Sequence, residues 1–96
     1  MSVSIQSGEG GTIVSGSMTL ETAAVLLANG VTALDKGEPR FDLSGVANID
    51  SSGLAVLFGW QRAARVHGLT LRIANPPHNL ISLAEMYGVS ELLPLS

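Results

Sequence analysis

Short apolar stretches with strand periodicity alternate along this chain with longer segments that repeat apolar residues at helical spacing. Strands are predicted at residues 3–6, 12–16, 40–43 and 69–74. Helices are predicted from Thr19 to Gly30 or Leu34, from Gly53 to about His67, and from Asn79 or Ser82 through Tyr87. The order β-β-α-β-α-β-α predicts an α/β fold in which a mixed sheet carries its helices mainly on one face. A length of 96 residues leaves room for one domain, spanning 1–96.

Turn and cap residues mark the boundaries of these elements. The glycine-rich segment 7–11 separates the first two strands and predicts an antiparallel hairpin. Thr19 is the predicted N-cap of the first helix, because its hydroxyl can accept a hydrogen bond from an unpaired backbone N–H. Gly68 is expected to end the second helix and Gly88 the third, since glycine tolerates the left-handed conformation that follows many helices.

Apolar spacing predicts which side chains form the core. Phe41 and Leu43 alternate along a strand, so they should share one face of the sheet. The tail 92–95 is expected to pack against the sheet. The first helix has an apolar stripe of Ala23, Ala24, Leu26, Leu27 and Val31, and the second has one of Gly53, Val56, Leu57, Trp60, Ala63 and Ala64. Trp60 fits either the core or a partner surface, and both interpretations remain open.

Composition and charge exclude several classes of protein. The net charge is −3 and the five basic residues are spread from Lys36 to Arg72, so the concentrated positive surface that nucleic-acid binding requires is missing. No cysteine is present, which excludes a thiolate metal site. The N-terminal segment carries no secretory signal pattern, and the longest apolar run, Leu54–Phe58, is far shorter than the about 20 residues that span a bilayer. We expect a cytoplasmic protein without direct membrane insertion, and its charged fraction of 14% predicts apolar surface for a partner.

Nothing in the sequence predicts catalysis. A serine hydrolase would place its nucleophile in a Gly-x-Ser-x-Gly turn, and no serine here has that context. His67 and His78 are expected to be structural or solvated, since one ends a helix and the other follows two prolines. Asp42 and Asp50 are isolated and do not cluster for a cation. We therefore expect a non-enzymatic protein without catalytic residues, cofactor or metal.

The segment Asp50-Ser51-Ser52-Gly53 precedes an apolar helix, and two interpretations of it remain open. Oxygens of Asp50 or Ser51 can cap the backbone N–H groups at the helix start, which stabilises a helix by about 1 kcal/mol. Alternatively, exposed serines beside open N–H groups can form a docking or phosphorylation site, because helix N-termini favour anions. The two roles are compatible.

These residues also carry a family resemblance. The segments 41–46 (FDLSGV) and 49–54 (IDSSGL) resemble the signature of STAS domains, which occur in anti-sigma factor antagonists and sulfate-transporter tails. The resemblance implies a STAS-like fold over nearly the whole chain. In the antagonists a partner kinase phosphorylates the second serine of this motif, which implies Ser52 as the phosphorylation candidate; the sequence does not decide between Ser51 and Ser52.

The C-terminal half resembles one branch of this family. The segments 60–65, 71–77 and 83–89 are similar to MlaB-like proteins, which are small cytoplasmic subunits of an ABC transporter that moves phospholipids between the two membranes of Gram-negative bacteria. This resemblance implies binding to the transporter's ATPase subunit and a location at the inner membrane through that partner. The double serine is more typical of the antagonists, so the alternative is an anti-sigma factor antagonist whose partner is an anti-sigma factor kinase.

The helix after the turn supplies a candidate partner surface. Arg62 and Arg65 lie opposite its core stripe, and Leu54 and Phe58 project nearer to the arginines than to the core. Either neighbouring loops bury Leu54 and Phe58, or both form an apolar patch ringed by Gln61 and the arginines. The predicted partner-binding residues are Asp50, Ser51, Ser52, Gly53, Leu54, Phe58, Arg62 and Arg65.

Overall fold

The computed structural model describes residues 3–8 and 11–95. Within them, the elements are β1 (Val3–Gly8), β2 (Gly11–Met18), α1 (Ala23–Asp35), β3 (Arg40–Ile49), α2 (Ser51–Val66), β4 (Arg72–Ala74), α3 (His78–Met86) and a 3-10 turn (Ser90–Leu92). The observed order confirms the predicted succession of strands and helices.

The described strands form one mixed sheet with the order β1-β2-β3-β4. β1 pairs antiparallel with β2, which confirms the hairpin, although its predicted tip at Glu9 and Gly10 lies outside the described residues. β2, β3 and β4 are parallel neighbours, so α1 and α2 cross over between them. Right-handed crossovers that advance in the same direction place both helices on one face of the sheet, as predicted. The tail packs back as expected, because Ile73 donates a hydrogen bond to the Pro94 carbonyl at 2.7 Å and bridges to Leu95.

The core lies between this sheet and its helices. Phe41 and Leu43 are both fully buried, which confirms that they share the helix-facing side. Trp60 is fully buried as well, so it is a core residue. Its indole Nε1 donates a hydrogen bond to the Leu26 carbonyl at 3.0 Å, and its ring centroid lies 4.7 Å from that of Phe41. A tilted aromatic pair of this kind stabilises a core beyond the area that it buries.

Two glycines allow α1 and α2 to approach closely. Gly30 of α1 faces the Trp60 indole, and a Cβ at Gly30 would overlap that ring. Gly59 of α2 faces Leu27, where a Cβ would lie 2.9 Å from Cδ1. This packing explains why the predicted apolar stripe of α1 is wrong in part. The buried residues of α1 are Leu26, Gly30, Ala33 and Leu34, whereas Ala24 and Leu27 are exposed and Ala23 and Val31 are half-buried.

The predicted start of α1 is also wrong. Residues 19–22 form a turn, and the helix begins at Ala23 with Thr22 as the N-cap residue. The Thr22 hydroxyl accepts a hydrogen bond from the Thr19 N–H at 3.0 Å and donates one to the Ser17 carbonyl at 2.7 Å. Thr22 therefore fixes the turn instead of extending the helix back to Thr19.

β3 is longer than the predicted strand at 40–43 and runs to Ile49, whereas the ends of α2 and α3 follow the predictions more closely. Gly68 and Gly88 both have φ +71°, and they follow α2 and α3 as expected. The Leu69 N–H donates a C-terminal capping hydrogen bond to the Ala64 carbonyl at 2.8 Å. Because Leu69 belongs to this cap, β4 begins at Arg72 and not at the predicted residue 69. α3 begins at His78, so Ser82 is an interior helical residue.

Candidate functional site

Asp50 fixes the turn at the start of α2. Its Oδ1 accepts hydrogen bonds from the N–H groups of Ser52 at 2.8 Å and Gly53 at 3.2 Å, which confirms the predicted helix cap. Its Oδ2 accepts one from the Leu20 N–H at 3.2 Å, and its carbonyl accepts one from Leu54 at 3.1 Å. The N–H groups of residues 52–54 are thus satisfied, so the expectation of open donors beside the serines is wrong for these three.

Gly53 is held against the neighbouring strand. A Cβ at this position would overlap the Met18 carbonyl oxygen and lie 2.7 Å from Ile49 Cγ1. Asp50 strengthens the same junction, because its N–H donates to the Met18 carbonyl at 3.2 Å. Gly53 is buried, so it contributes to the site by allowing α2 to start this close to β2.

The two serines occupy different positions around the turn. Ser51 is exposed and Ser52 is half-buried. Within residues 3–8 and 11–95, neither hydroxyl forms a hydrogen bond. Ser52 lines a groove of about 410 Å³ between α1 and α2, whose apolar wall includes Leu27 and Val56. Both hydroxyls are therefore free to interact with a partner.

An apolar cleft of about 260 Å³ lies on the other side of α2, against the end of α3. Leu54 lines it but is only 5% exposed, so the interpretation in which its neighbours bury it is the right one. Phe58 is half-buried in the same wall. Tyr87 completes the cleft and is 55% exposed.

The predicted arginines lie beside this cleft on the exposed side of α2. Arg62 and Arg65, together with Phe58 and Leu92, line a further depression of about 350 Å³. Both guanidinium groups are exposed, and neither forms an ion pair with any residue that the structure describes. Leu92 is 60% exposed, so this part of the tail faces the cleft while Leu93 joins the core. Ser51 and Phe58 thus lie on the cleft side of α2 and Ser52 lies on the groove side. The exposed ridge between them, which includes Ala55 and Arg62, joins the two sides.

Sequence reasoning missed Tyr87 and Leu92. Both lie about 30 residues from Phe58 along the chain, and only the folding of α3 and the tail onto α2 brings them to it. The sequence offered a signal for Tyr87 alone, because it directly precedes the helix-ending Gly88.

Asp42 and His67, two further titratable residues weighed in the sequence, make structural contacts. Asp42 accepts hydrogen bonds from the Ser44 N–H at 2.9 Å and the Asn75 amide at 3.2 Å. These bonds, the Ser44 backbone one first, hold the pKa of Asp42 below its ordinary value. His67 Nε2 lies 2.6 Å from Asp35 Oδ1 and joins the ends of α2 and α1. The described residues contain no group of three or more side chains able to hold a metal ion. None of the described helices is long and apolar enough to cross a membrane.

The fold is the arrangement of a STAS domain. It combines a four-stranded mixed sheet that has its helices on one face with a serine turn, capped by an aspartate, at the start of the second helix. The family described as "Mlab, STAS domain" matches residues 1–94, and the chain belongs to this family.

Comparisons with individual proteins agree with this family. The "Intermembrane phospholipid transport system binding protein MlaB" of Haemophilus influenzae is 35% identical over 60 residues, which are 62% of this chain. The match spans 57% of that relative's length.

Similar solved structures are anti-sigma factor antagonists. One from Mycobacterium paratuberculosis has a TM-score of 0.66 at 22% identity, with 98% of this chain and 83% of that chain covered. An antagonist (STAS) domain protein from Planctomyces limnophilus has a TM-score of 0.71 at 12% identity, covering 97% and 87%. SpoIIAA in its unphosphorylated form has a TM-score of 0.67 at 16% identity, covering 99% and 87%. At these identities the likeness concerns the fold.

Proposed function

We propose that this protein is a non-enzymatic STAS subunit that binds and regulates the ATPase subunit of a phospholipid-transporting ABC transporter. The observation that carries the proposal is the exposed ridge of α2, which joins the serine turn and the half-buried Phe58 to two arginines without an ion-pair partner among the described residues. Membership of the MlaB family and the name of the Haemophilus relative, an intermembrane phospholipid transport system binding protein, support the choice of transporter. The proposal places the protein in the cytoplasm, held at the inner membrane by its partner.

We call the candidate surface the α2 docking surface and define it by Ser51, Ser52, Leu54, Phe58, Arg62 and Arg65. Phe58 is its apolar anchor, because aromatic side chains in partly enclosed clefts contribute much of the binding energy of protein interfaces. The arginines lie at its edge and favour a partner with acidic groups facing them. Asp50 and Gly53 act indirectly by fixing the turn.

The test is a binding measurement with the purified ATPase subunit. Phe58→Ala should weaken binding by at least tenfold, the loss of about 1.4 kcal/mol or more that marks an anchor residue. Val66→Ala is the matched control, because Val66 is on the same helix and 83% exposed but outside the surface. Equal affinities of Phe58→Ala and the unmodified protein would place the interface elsewhere.

The second candidate is an anti-sigma factor antagonist that a partner kinase phosphorylates at Ser52. The Ser52 hydroxyl at the edge of the α1–α2 groove, which has no hydrogen-bond partner among the described residues, favours it. Incubation with a histidine-kinase-like anti-sigma factor and ATP should then add one phosphate, which Ser52→Ala abolishes and Ser51→Ala does not. Recovery of an ATPase from native cytoplasm with the tagged protein supports the first candidate, and recovery of such a kinase supports the second.

A further inference from the structure

A polar cavity of about 270 Å³ lies between the β1–β2 hairpin and the C-terminal half of α1. It shares no lining residue with the α2 docking surface. Ser7 of β1 and Thr12 of β2 line it, and because they are direct partners across the hairpin they point to the same face. Asn29, Thr32 and Lys36 line it from one side of α1, at the i, i+3 and i+7 spacing of a helical stripe. Polar side chains from three elements therefore meet around one small volume.

Thr12 carries a buried hydroxyl that the described fold leaves without a hydrogen bond. The residue is 1% exposed, and its Oγ1 has no hydrogen-bond partner among the described residues. Buried hydroxyls are nearly always paired, because an unpaired one loses its hydrogen bonds to water without replacement. Rotation about the Cα–Cβ bond exchanges the hydroxyl with the methyl group, so Thr12 can turn its donor toward a molecule in the cavity. A molecule bound in the cavity would give this hydroxyl a hydrogen-bond partner.

The charge of the cavity favours an anion. Lys36 is the only lysine in the sequence, and none of the described residues that line the cavity carries a carboxylate. The preceding residue, Asp35, is engaged by His67 at 2.6 Å. The C-terminal end of α1 carries partial negative charge, which opposes an anion and makes the Lys36 ammonium necessary for one to bind. Lys36, Asn29, Ser7 and Thr12 together offer more hydrogen-bond donors than the two oxygens of a carboxylate can accept.

We propose that this cavity binds a small phosphate ester. A phosphate group presents three oxygens in a tetrahedral arrangement, which matches donors converging from two strands and a helix. The volume is below the about 300 Å³ at which ligand pockets usually begin, so the ligand is a phosphorylated small alcohol or a lipid phosphate and is smaller than a nucleotide.

Amide NMR spectra of the full-length protein test this proposal with glycerol 3-phosphate as the soluble probe. Saturable shifts are expected at Ser7, Thr12, Asn29 and Lys36. Lys36→Gln should weaken binding about tenfold through loss of a charge-assisted hydrogen bond. Thr12→Val should also weaken it while raising Tm without ligand, because it removes the unpaired hydroxyl. Arg72→Gln is the control for overall charge and should leave the affinity unchanged, because Arg72 is exposed on β4 and lines neither this cavity nor the α2 docking surface.

A second arm identifies the source of the phosphate. Co-sedimentation with phosphatidylcholine vesicles, with and without phosphatidic acid, detects a lipid phosphate. Saturable binding to either probe, lowered by Lys36→Gln, supports the proposal and assigns the ligand to the soluble or the lipid class. The proposal is overturned if neither probe binds, if succinate binds as tightly as glycerol 3-phosphate, or if Lys36→Gln and Thr12→Val bind like the unmodified protein.

Discussion

Asp50 uses both carboxylate oxygens to fix the start of α2. Oδ1 accepts hydrogen bonds from Ser52 and Gly53, and Oδ2 accepts one from Leu20. The position of Ser52 is thus set by a backbone contact, and its own hydroxyl has no partner among the described residues. A change of the Ser52 side chain should consequently alter the surface of the turn and leave its backbone in place.

Ser52→Asp tests this separation of fold and binding. A negative charge at a helix N-terminus is worth roughly 0.3–1 kcal/mol in favour of the helix, and the nearby Asp50 carboxylate opposes it, so Tm should stay within a few degrees of the unmodified protein. In the complex the charge would be desolvated, and binding to the partner should weaken by several kcal/mol. Calorimetric titration with the partner measures the loss, and Ser52→Ala should retain both stability and binding. If Ser52→Asp bound the partner normally, the turn would serve only as a helix cap and would not belong to the interface.

The sequence predicted the cap but only part of the turn. The Asp50–Ser52 spacing is local, so capping rules apply to it directly. The contact with Leu20 joins residues 30 positions apart, and the overlap between Gly53 and Met18 depends on how α2 meets β2. Such contacts follow from tertiary packing, which residue spacing does not encode.

At the scale of the element, α2 belongs to the core and to the candidate surface at once. Val56, Leu57 and Ala64 are buried as their spacing predicted, and Trp60, which the sequence left open, is buried with them, while Arg62 and Arg65 are exposed on the other side. Periodicity identifies these two faces because a single helix repeats every 3.6 residues. It could not decide the burial of Leu54, which depends on the cleft formed with α3.

The arginine pair on α2 should act mainly on the rate of association. Replacing Arg62 and Arg65 by alanine should slow association with an acidic partner and flatten its dependence on salt, because edge charges steer encounter. Tm should change little, since neither side chain forms an ion pair within the described part of the chain. Stopped-flow binding at several salt concentrations measures the effect, and Arg72→Ala, an exposed change on β4, is the control. A large fall in Tm would instead assign the pair a structural role.

At the scale of the whole molecule, the alternation of strands and helices was sufficient to predict the sheet and its single helical layer. The start of α1 was wrong because two threonines three residues apart can both serve as caps, and the contact between Thr22 and Ser17 selects the later one. The close contact between Gly30 and Trp60 could not be predicted from the sequence either, since it joins residues on different helices.

Acid stability should depend on the link between β3 and the end of β4. Asp42 receives hydrogen bonds from Ser44 and Asn75, which lower its pKa in the folded state. Because the folded pKa lies below the unfolded one, this stabilisation is present above about pH 4 and is lost as the pH falls through the folded pKa. Asp42→Asn should therefore flatten the fall in stability below about pH 4. Urea unfolding as a function of pH measures it, and an unchanged acid profile would contradict the role of Asp42.

The burial of Trp60 determines what the intrinsic fluorescence of this protein can report. It is the only tryptophan, it is fully enclosed, and its indole N–H is already bonded to Leu26. Emission should be blue-shifted in the native state and move to longer wavelength only when the α1–α2 contact opens. Intrinsic tryptophan fluorescence therefore reports global unfolding, and it should not respond to binding events on the exposed side of α2. A partner that did shift the emission would have to loosen the helical layer itself, which would mean that association and folding of this chain are coupled.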